Sequence, residues 1–275
     1  SDAGANQASE IEYDSIRRLV HSPGEGGRMK RLLTFLLILL AAAPAAAQSR
    51  ADSARSYVAR GAAWFKKGEI ERAISDYNLA IAFDPHSASA RLNRAIARFH
   101  KGDHEGALED YTRTLELDPR LSEVWNEKGN LLAEKDDLSG AAAAFDRAIA
   151  LDSARAVFFN NRGRVWLASG DLEKAAKDLD RALKLDPKLA DAWAHRGIIR
   201  AERGDYARAI ADFDQALKLN PRLAITWANR GLALLALGRT EEAERNFARC
   251  RELGGKVKPA AEELLQELRG QGKSK

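Results

Sequence analysis

The chain has 275 residues, of which 31% are charged and 45% hydrophobic, a formal net charge of +4, and a single cysteine. One cysteine excludes an internal disulfide. Charges of both signs are interspersed without a basic block, which excludes the concentrated basic stripe that nucleic-acid binding requires, so no nucleic-acid partner is expected.

In chain order, residues 1–28 read as an upstream extension outside the working protein, because the only methionine is Met29. Lys30 and Arg31 then form a positive start, Leu32–Ala43 an apolar run of 12 residues, and Ala45-Ala46-Ala47 a small-residue cleavage site. This is the layout of a secretory signal peptide over residues 29–47. The apolar run is short for a membrane span, which takes about 20 residues. The expected mature chain begins at Gln48, carries no membrane span, and is periplasmic or secreted. Residues 48–53 read as a short linker.

From residue 54 to residue 257 the chain is six copies of a 34-residue unit (54–87, 88–121, 122–155, 156–189, 190–223 and 224–257) without an insertion. A small residue recurs at Gly61, Ala95, Gly129, Gly163, Gly197 and Gly231. Alanine follows at Ala73, Ala107, Ala141, Ala175, Ala209 and Ala243, and a large apolar residue at Tyr77, Tyr111, Phe145, Leu179, Phe213 and Phe247. Mid-unit stand Gly68, Gly102, Asp136, Gly170, Gly204 and Gly238. Pro85, Pro119, Pro187 and Pro221 close four copies; Ser153 and Gly255 stand there in the other two.

Each unit therefore reads as a helical hairpin. The small residue lets a second helix approach, the mid-unit glycine supplies the positive φ that ends the first helix, and Asp, Thr or Glu after it caps the second. Proline then stops the second helix. One hairpin cannot bury its apolar face alone, so the copies must stack.

These residues resemble the tetratricopeptide-repeat family, whose pattern is W-x2-L-G-x2-Y, A-x3-F and P at a period of 34. Trp193, Gly197, Ala209, Phe213 and Pro221 match it in the fifth copy. The resemblance implies an all-α fold: an α-solenoid of six helix-turn-helix repeats winding as a right-handed superhelix. It implies no activity, since repeat folds carry many partners.

Catalytic and metal signals are weak. His100 and His104 are separated by the turn at Gly102, so they do not share a helix face. No Ser/His/Asp set, glycine-rich phosphate loop or HExxH occurs. No enzyme activity, metal or cofactor is expected. Cys250 takes the slot that Ala80, Ala148, Ala182 and Ala216 fill elsewhere, and reads as a buried small residue.

Two polar patterns depart from the family pattern. Before the small residue stand Arg60, Arg94, Lys128, Arg162, Arg196 and Arg230, and sixteen residues later Asp76, Asp110, Ala144, Asp178, Asp212 and Asn246. The four Arg–Asp copies read as structural ion pairs between helices, each Arg with its own Asp or that of a neighbouring copy.

The second pattern lies on the face that, by the resemblance, lines a concave groove. The sixth position of the copies reads Ala59, Asn93, Glu127, Asn161, His195 and Asn229; the fifth adds Asn126 and Asn160, the ninth Asn130 and Arg164. Asn is a poor helix-interior residue, so its accumulation on one face calls for a reason. The pattern is similar to the asparagine ladder in the repeat domain of O-linked N-acetylglucosamine transferase, which implies binding to the backbone of an extended peptide. The family's clamp for a C-terminal carboxylate is not matched, since Asn126, Asn130 and Asn161 are followed by Asp191 and His195.

After the sixth copy, residues 258–275 read as a capping helix from Pro259, with Ala261, Leu264, Leu265 and Leu268 as its apolar stripe, and a basic tail from Gly270. The favoured expectation is a non-catalytic scaffold that binds a protein or peptide segment in its groove. The alternative is a structural subunit of an envelope complex that uses its outer face or capping helix.

Overall fold

The structure, a computed structural model, describes residues 48–272. The expected upstream extension and signal peptide lie outside the described residues. Thirteen helices and no strand occur among the described residues: α1 (48–66), α2 (Ile70–Phe83), α3 (Ala88–Lys101), α4 (His104–Leu117), α5 (Ser122–Glu134), α6 (Leu138–Leu151), α7 (Ala156–Ala168), α8 (Leu172–Leu185), α9 (Ala190–Glu202), α10 (Tyr206–Leu219), α11 (Ala224–Ala236), α12 (Thr240–Glu252) and α13 (Pro259–Gly272). None of these is long and apolar enough to cross a membrane. The described residues divide within α3 into two compact units, with the break between Ala97 and Arg98.

In the first unit, Ala73, Tyr77 and Ala97 are buried, with Trp64, Phe65, Ile70 and Ile74 packed on them. Residues 48–53 are helical and continue α1, which corrects the expected linker. The segment holds no Gly or Pro, and Ser53 donates to the Ser49 carbonyl at 2.9 Å in the manner of a helical turn.

In the second unit, hairpins α5–α6, α7–α8, α9–α10 and α11–α12 stack as a solenoid-like array, each second helix also packing on the next first helix. First helices of successive hairpins touch as well, α5 with α7, α7 with α9, and α9 with α11. Phe145, Leu179, Phe213 and Phe247 are fully buried. They fit because a glycine faces them: a Cβ on Gly197 would stand 2.5 Å from Phe213 Cε1. Burial pushes the Tyr111 hydroxyl up to about 12. Cys250 is buried, and burial pushes its thiol up.

The turns follow simple chemistry. Asp136 adopts φ 63 where other copies carry glycine. Asp103, Asp137, Asp171 and Asp205 cap α4, α6, α8 and α10 by accepting from the backbone N–H three residues on. The expected Thr and Glu caps are not made: Glu69 precedes α2 without a side-chain cap bond, and Arg239 holds the cap position of α12, with Thr240 inside the helix.

Second helices end on an unanticipated device. Asp84, Asp118, Asp152, Asp186 and Asn220 are extended, and each side chain accepts from the backbone N–H two residues on, at 2.9–3.1 Å. The bond forms at Asp152, where Ser153 replaces proline, so this Asx turn shapes the stop with or without the ring. The indoles of Trp125, Trp193 and Trp227 donate to the carbonyls of Pro119, Pro187 and Pro221 at 2.9–3.0 Å, tying these turns to the following helices.

Helix α13 covers the end of the array. Ala261 and Leu265 join the cluster of Ala209, Phe213, Leu234 and Phe247, with Leu268 packed against it. Leu264, expected in that stripe, is 41% exposed. It projects one residue round from Leu265, beyond the reach of the last hairpin. The helix runs to Gly272 and so takes in the first three residues of the expected tail, with no proline there to stop it.

Candidate functional site

The polar side chains of the first helices fall into two rows. In the first, Arg162 Nε and Nη2 donate to Asp178 Oδ2 and Oδ1 at 2.7 Å, while Nη1 reaches Asp146 on the preceding hairpin at 2.5 Å. Arg196 repeats this with Asp212 at 2.9 Å and with Asp180 at 2.8 Å. Arg230 takes Asp214 at 2.7 Å and Asn246 at 3.1 Å. The bonds to Asp178 and Asp146 hold Arg162 above its ordinary pKa.

In the first unit Arg60 grips Asp76 with two bonds of 2.7 Å, and this hydrogen-bonded pairing holds the Asp76 carboxyl below its usual range. Arg94 donates to Asn78 at 2.7 Å. Asp110 accepts from Arg98 at 2.9 Å. Sequence reading missed Arg98, which holds Asp110, and Arg200, which adds a second cation to Asp212 from one turn further along the first helix. It also missed the carboxylates Asp146, Asp180 and Asp214, although their spacing of 34 was there to be read. These groups bind each other and hold the scaffold.

The second row is a seam of amides. Asn161 Nδ2 donates to Asn126 Oδ1 at 2.9 Å, Asn160 Nδ2 to Asn161 Oδ1 at 3.2 Å, and His195 Nδ1 lies 3.0 Å from Asn160 Oδ1. Asn126 Nδ2 continues to Glu127 at 3.1 Å, and Asn130 Nδ2 lies 3.5 Å from the other Glu127 oxygen. The seam thus crosses α5, α7 and α9. Its bonds between helices join the fifth position of one copy to the sixth of the next. It stops where that fifth position becomes Ala194, leaving Asn229 half-buried without a seam partner among the described residues.

Asn126 and Asn160 are each 5% exposed, so they form the base of the seam, and Asn161 and His195 stand above them half-buried. Burial lowers the His195 pKa from 6.5; Asp191 opposes this and Arg164 adds to it. Arg164 is exposed and makes no hydrogen bond or ion pair among the described residues. Asn93 is half-buried on α3. His104 Nδ1 meets Glu134 at 3.1 Å and its ring stacks on Phe99 at 5.1 Å.

Beyond the seam the surface turns apolar. Ile198, Ala201, Ile225, Leu232 and Ala236 line a cleft between α9 and α11, with Glu202 and Lys258 among its lining residues. Ile225 is 71% exposed, the most of any large apolar side chain described. Amide donors and acceptors, the exposed Arg164 cation and an apolar cleft are equipment for recognition.

Three family models, each described as tetratricopeptide repeat, match the chain: one over residues 65–122, 92–156 and 126–190, one over 162–225 and one over 213–245. Together they span more than half of the sequence. No curated protein matches it. Among solved structures, pilF of Pseudomonas aeruginosa is 20% identical, with 81% of this chain and 99% of that chain covered and a TM-score of 0.65. A tetratricopeptide repeat protein of Parabacteroides merdae is 17% identical, with 80% and 85% covered and a TM-score of 0.66. YrrB, described as a TPR protein with an unusual peptide-binding site, is 21% identical, with 70% and 97% covered and a TM-score of 0.54. At these identities the likeness is one of fold.

Proposed function

The chain belongs to the tetratricopeptide-repeat family, and from that premise we propose that it is a non-catalytic scaffold holding an extended protein segment along its row of first helices. The amide seam carries the reading. A side-chain amide has two donor hydrogens and two acceptor lone pairs. The seam bonds use part of that capacity and fix the orientation of the rest, so a peptide backbone meets groups already ordered. A peptide-binding site in YrrB, a protein of the same fold, points the same way.

The sequence layout of residues 29–47 adds the proposal that this scaffold works after export, in the periplasm or outside the cell. Intact-mass analysis of the exported protein tests that step. A chain beginning at Gln48 supports it, and a species retaining Leu32–Ala43 defeats it.

Binding itself is tested by selecting peptides from a random displayed library on the purified chain and titrating them against a variant carrying Asn130→Ala, Arg164→Ala and Asn229→Ala. Each net hydrogen bond contributes only about 0.5–1.5 kcal/mol, so the triple change is expected to weaken binding at least tenfold while leaving helicity unchanged. Equal affinity for the folded variant would move the function to the outer face or to α13, where Leu264 is exposed, and favour a structural subunit of an envelope complex.

A further inference from the structure

The ninth position of successive first helices changes character along the second unit: Asn130 on α5, Arg164 on α7, Ile198 on α9 and Leu232 on α11. Ile198 and Leu232 pack on the core cluster below and show their other side to the cleft. Ala201 and Ala236 keep the cleft open by their size, and Ile225 stands over it, 71% exposed. Packing of the array does not account for Ile225, because the same slot on α5, α7 and α9 is exposed whatever it holds, Glu123, Val157 or Asp191, and Ile225 is far more exposed than Val157 at 38%. An apolar residue kept in water beside an apolar cleft marks a binding surface.

One helix away, Arg164 is exposed and without a hydrogen bond or ion pair among the described residues, whereas the half-buried Arg162 and Arg196 of the neighbouring row are each held by carboxylates. Between the cleft and Arg164 runs the seam, with His195 and Asn160 at its near end.

Resting on the scaffold reading, we infer that the segment bound is anchored by one large apolar side chain in the cleft between α9 and α11, and carries a carboxylate three or four residues from that anchor, paired with Arg164. The spacing comes from geometry. Packed helices lie about 8–10 Å apart, and an extended chain advances about 3.3 Å per residue. Three to four residues therefore carry a peptide from the cleft, across His195, to Arg164. The anchor supplies the contact area, as buried apolar side chains in pockets do at other interfaces. A guanidinium with free donors selects a carboxylate, and the amides between contact only backbone.

The same displayed library decides the matter. Selected peptides are expected to share a Leu, Ile, Met or Phe three or four residues from an Asp or Glu. With one such synthetic peptide, Ile225→Ser combined with Leu232→Ser should raise Kd at least tenfold. Arg164→Glu should raise it about fivefold, and exchanging the peptide's acid for Lys should restore affinity to that variant alone. Circular dichroism of the variants confirms that the array is folded. Selected peptides that bind the folded serine variant as well as the parent overturn the anchor and leave the scaffold reading standing. A library that yields no binding peptide overturns both. Self-association of the chain that Ile225→Ser abolishes would assign the cleft to a second copy instead.

Discussion

Asn161 donates its side-chain amide to Asn126, 35 residues back in sequence and 2.9 Å away. The separation is one more than the repeat, so the bond links the sixth position of one copy to the fifth of the copy before, and joins α7 to α5. Asn126 is 5% exposed. Truncating it to Ala removes the partner of a half-buried amide and leaves Glu127 and Asn161 to resolvate. Asn126→Ala is therefore expected to destabilise the chain by about 1–2 kcal/mol. A chemical melt measures it. A loss below a few tenths would mean that the seam adds nothing to packing and serves binding alone.

The Arg162 fork gives a ranked pair of mutations. The Asp178 side chain is 9% exposed and that of Asp146 is 57%. Asp178→Ala leaves a mostly buried guanidinium with one carboxylate instead of two, at about 1–3 kcal/mol, above a surface pair and below the cost of breaking a fully buried one. Asp146→Ala should stay within about 1 kcal/mol. Equal losses on thermal melting would show that burial does not set the strength of these pairs.

Gly197 and Phe213 form a contact without slack. A Cβ on Gly197 would approach Phe213 Cε1 and Cδ1 to 2.5 and 2.7 Å, whereas one on Gly163 would meet the aliphatic Leu179 Cγ at 3.0 Å. Overpacking costs about 1–3 kcal/mol. Gly197→Ala should fall in that range, Gly163→Ala should cost less, and Phe213→Leu should restore part of the Gly197→Ala loss. Additive losses in the double mutant would place the strain elsewhere.

His195 gives the chain a pH dependence of known sign. Burial lowers its folded pKa below 6.5, so the unfolded chain binds the proton more readily. Stability from the neutral ring is complete above about pH 6.5 and is lost as pH falls through the lower folded value. Protonation also leaves both ring nitrogens as donors; Arg164 disfavours the charge and Asp191 favours it, so burial sets the direction. The melting temperature should fall between pH 7 and pH 5 more steeply for the parent than for His195→Asn. Parallel curves would remove His195 as the source.

The helices and their turns were legible because period and turn chemistry are local. Six in-phase copies place Gly68 and Asp136 in equivalent turns before any coordinate is known, and Gly197 against Phe213 follows from the same register. The Asx turn at Asp84, Asp118, Asp152, Asp186 and Asn220 was equally periodic, but proline drew attention away from the residue before it. The site was less legible, because its contacts run between copies. Seen one copy at a time, Asn126 and Asn161 are two polar residues in unlike slots. Only the lateral offset of stacked helices shows that they meet, and that Asn126 lies beneath rather than on the surface. Leu264 failed for a related reason: an apolar stripe is wider than the partner that covers it.

The Arg forks have a consequence for how the array comes apart. Arg162, Arg196 and Arg230 each span two hairpins, so opening one of those junctions breaks a fork as well as a packed interface. At the third copy the arginine is Lys128, and its two counterpart positions are Thr112 and Ala144; its ammonium lies over the Trp125 ring instead, 5.5 Å from the centroid. In a linear array, where each unit is held by its neighbours alone, the least coupled junction sets where fluctuation begins. The junction between α4 and α5, which has only exposed pairs such as His104–Glu134 and Lys135–Glu105 in place of a fork, is thus the natural parting line of the second unit. Backbone amides on either side of it should exchange with solvent ahead of those at the α8–α9 junction, giving the scaffold a built-in place to loosen without unravelling.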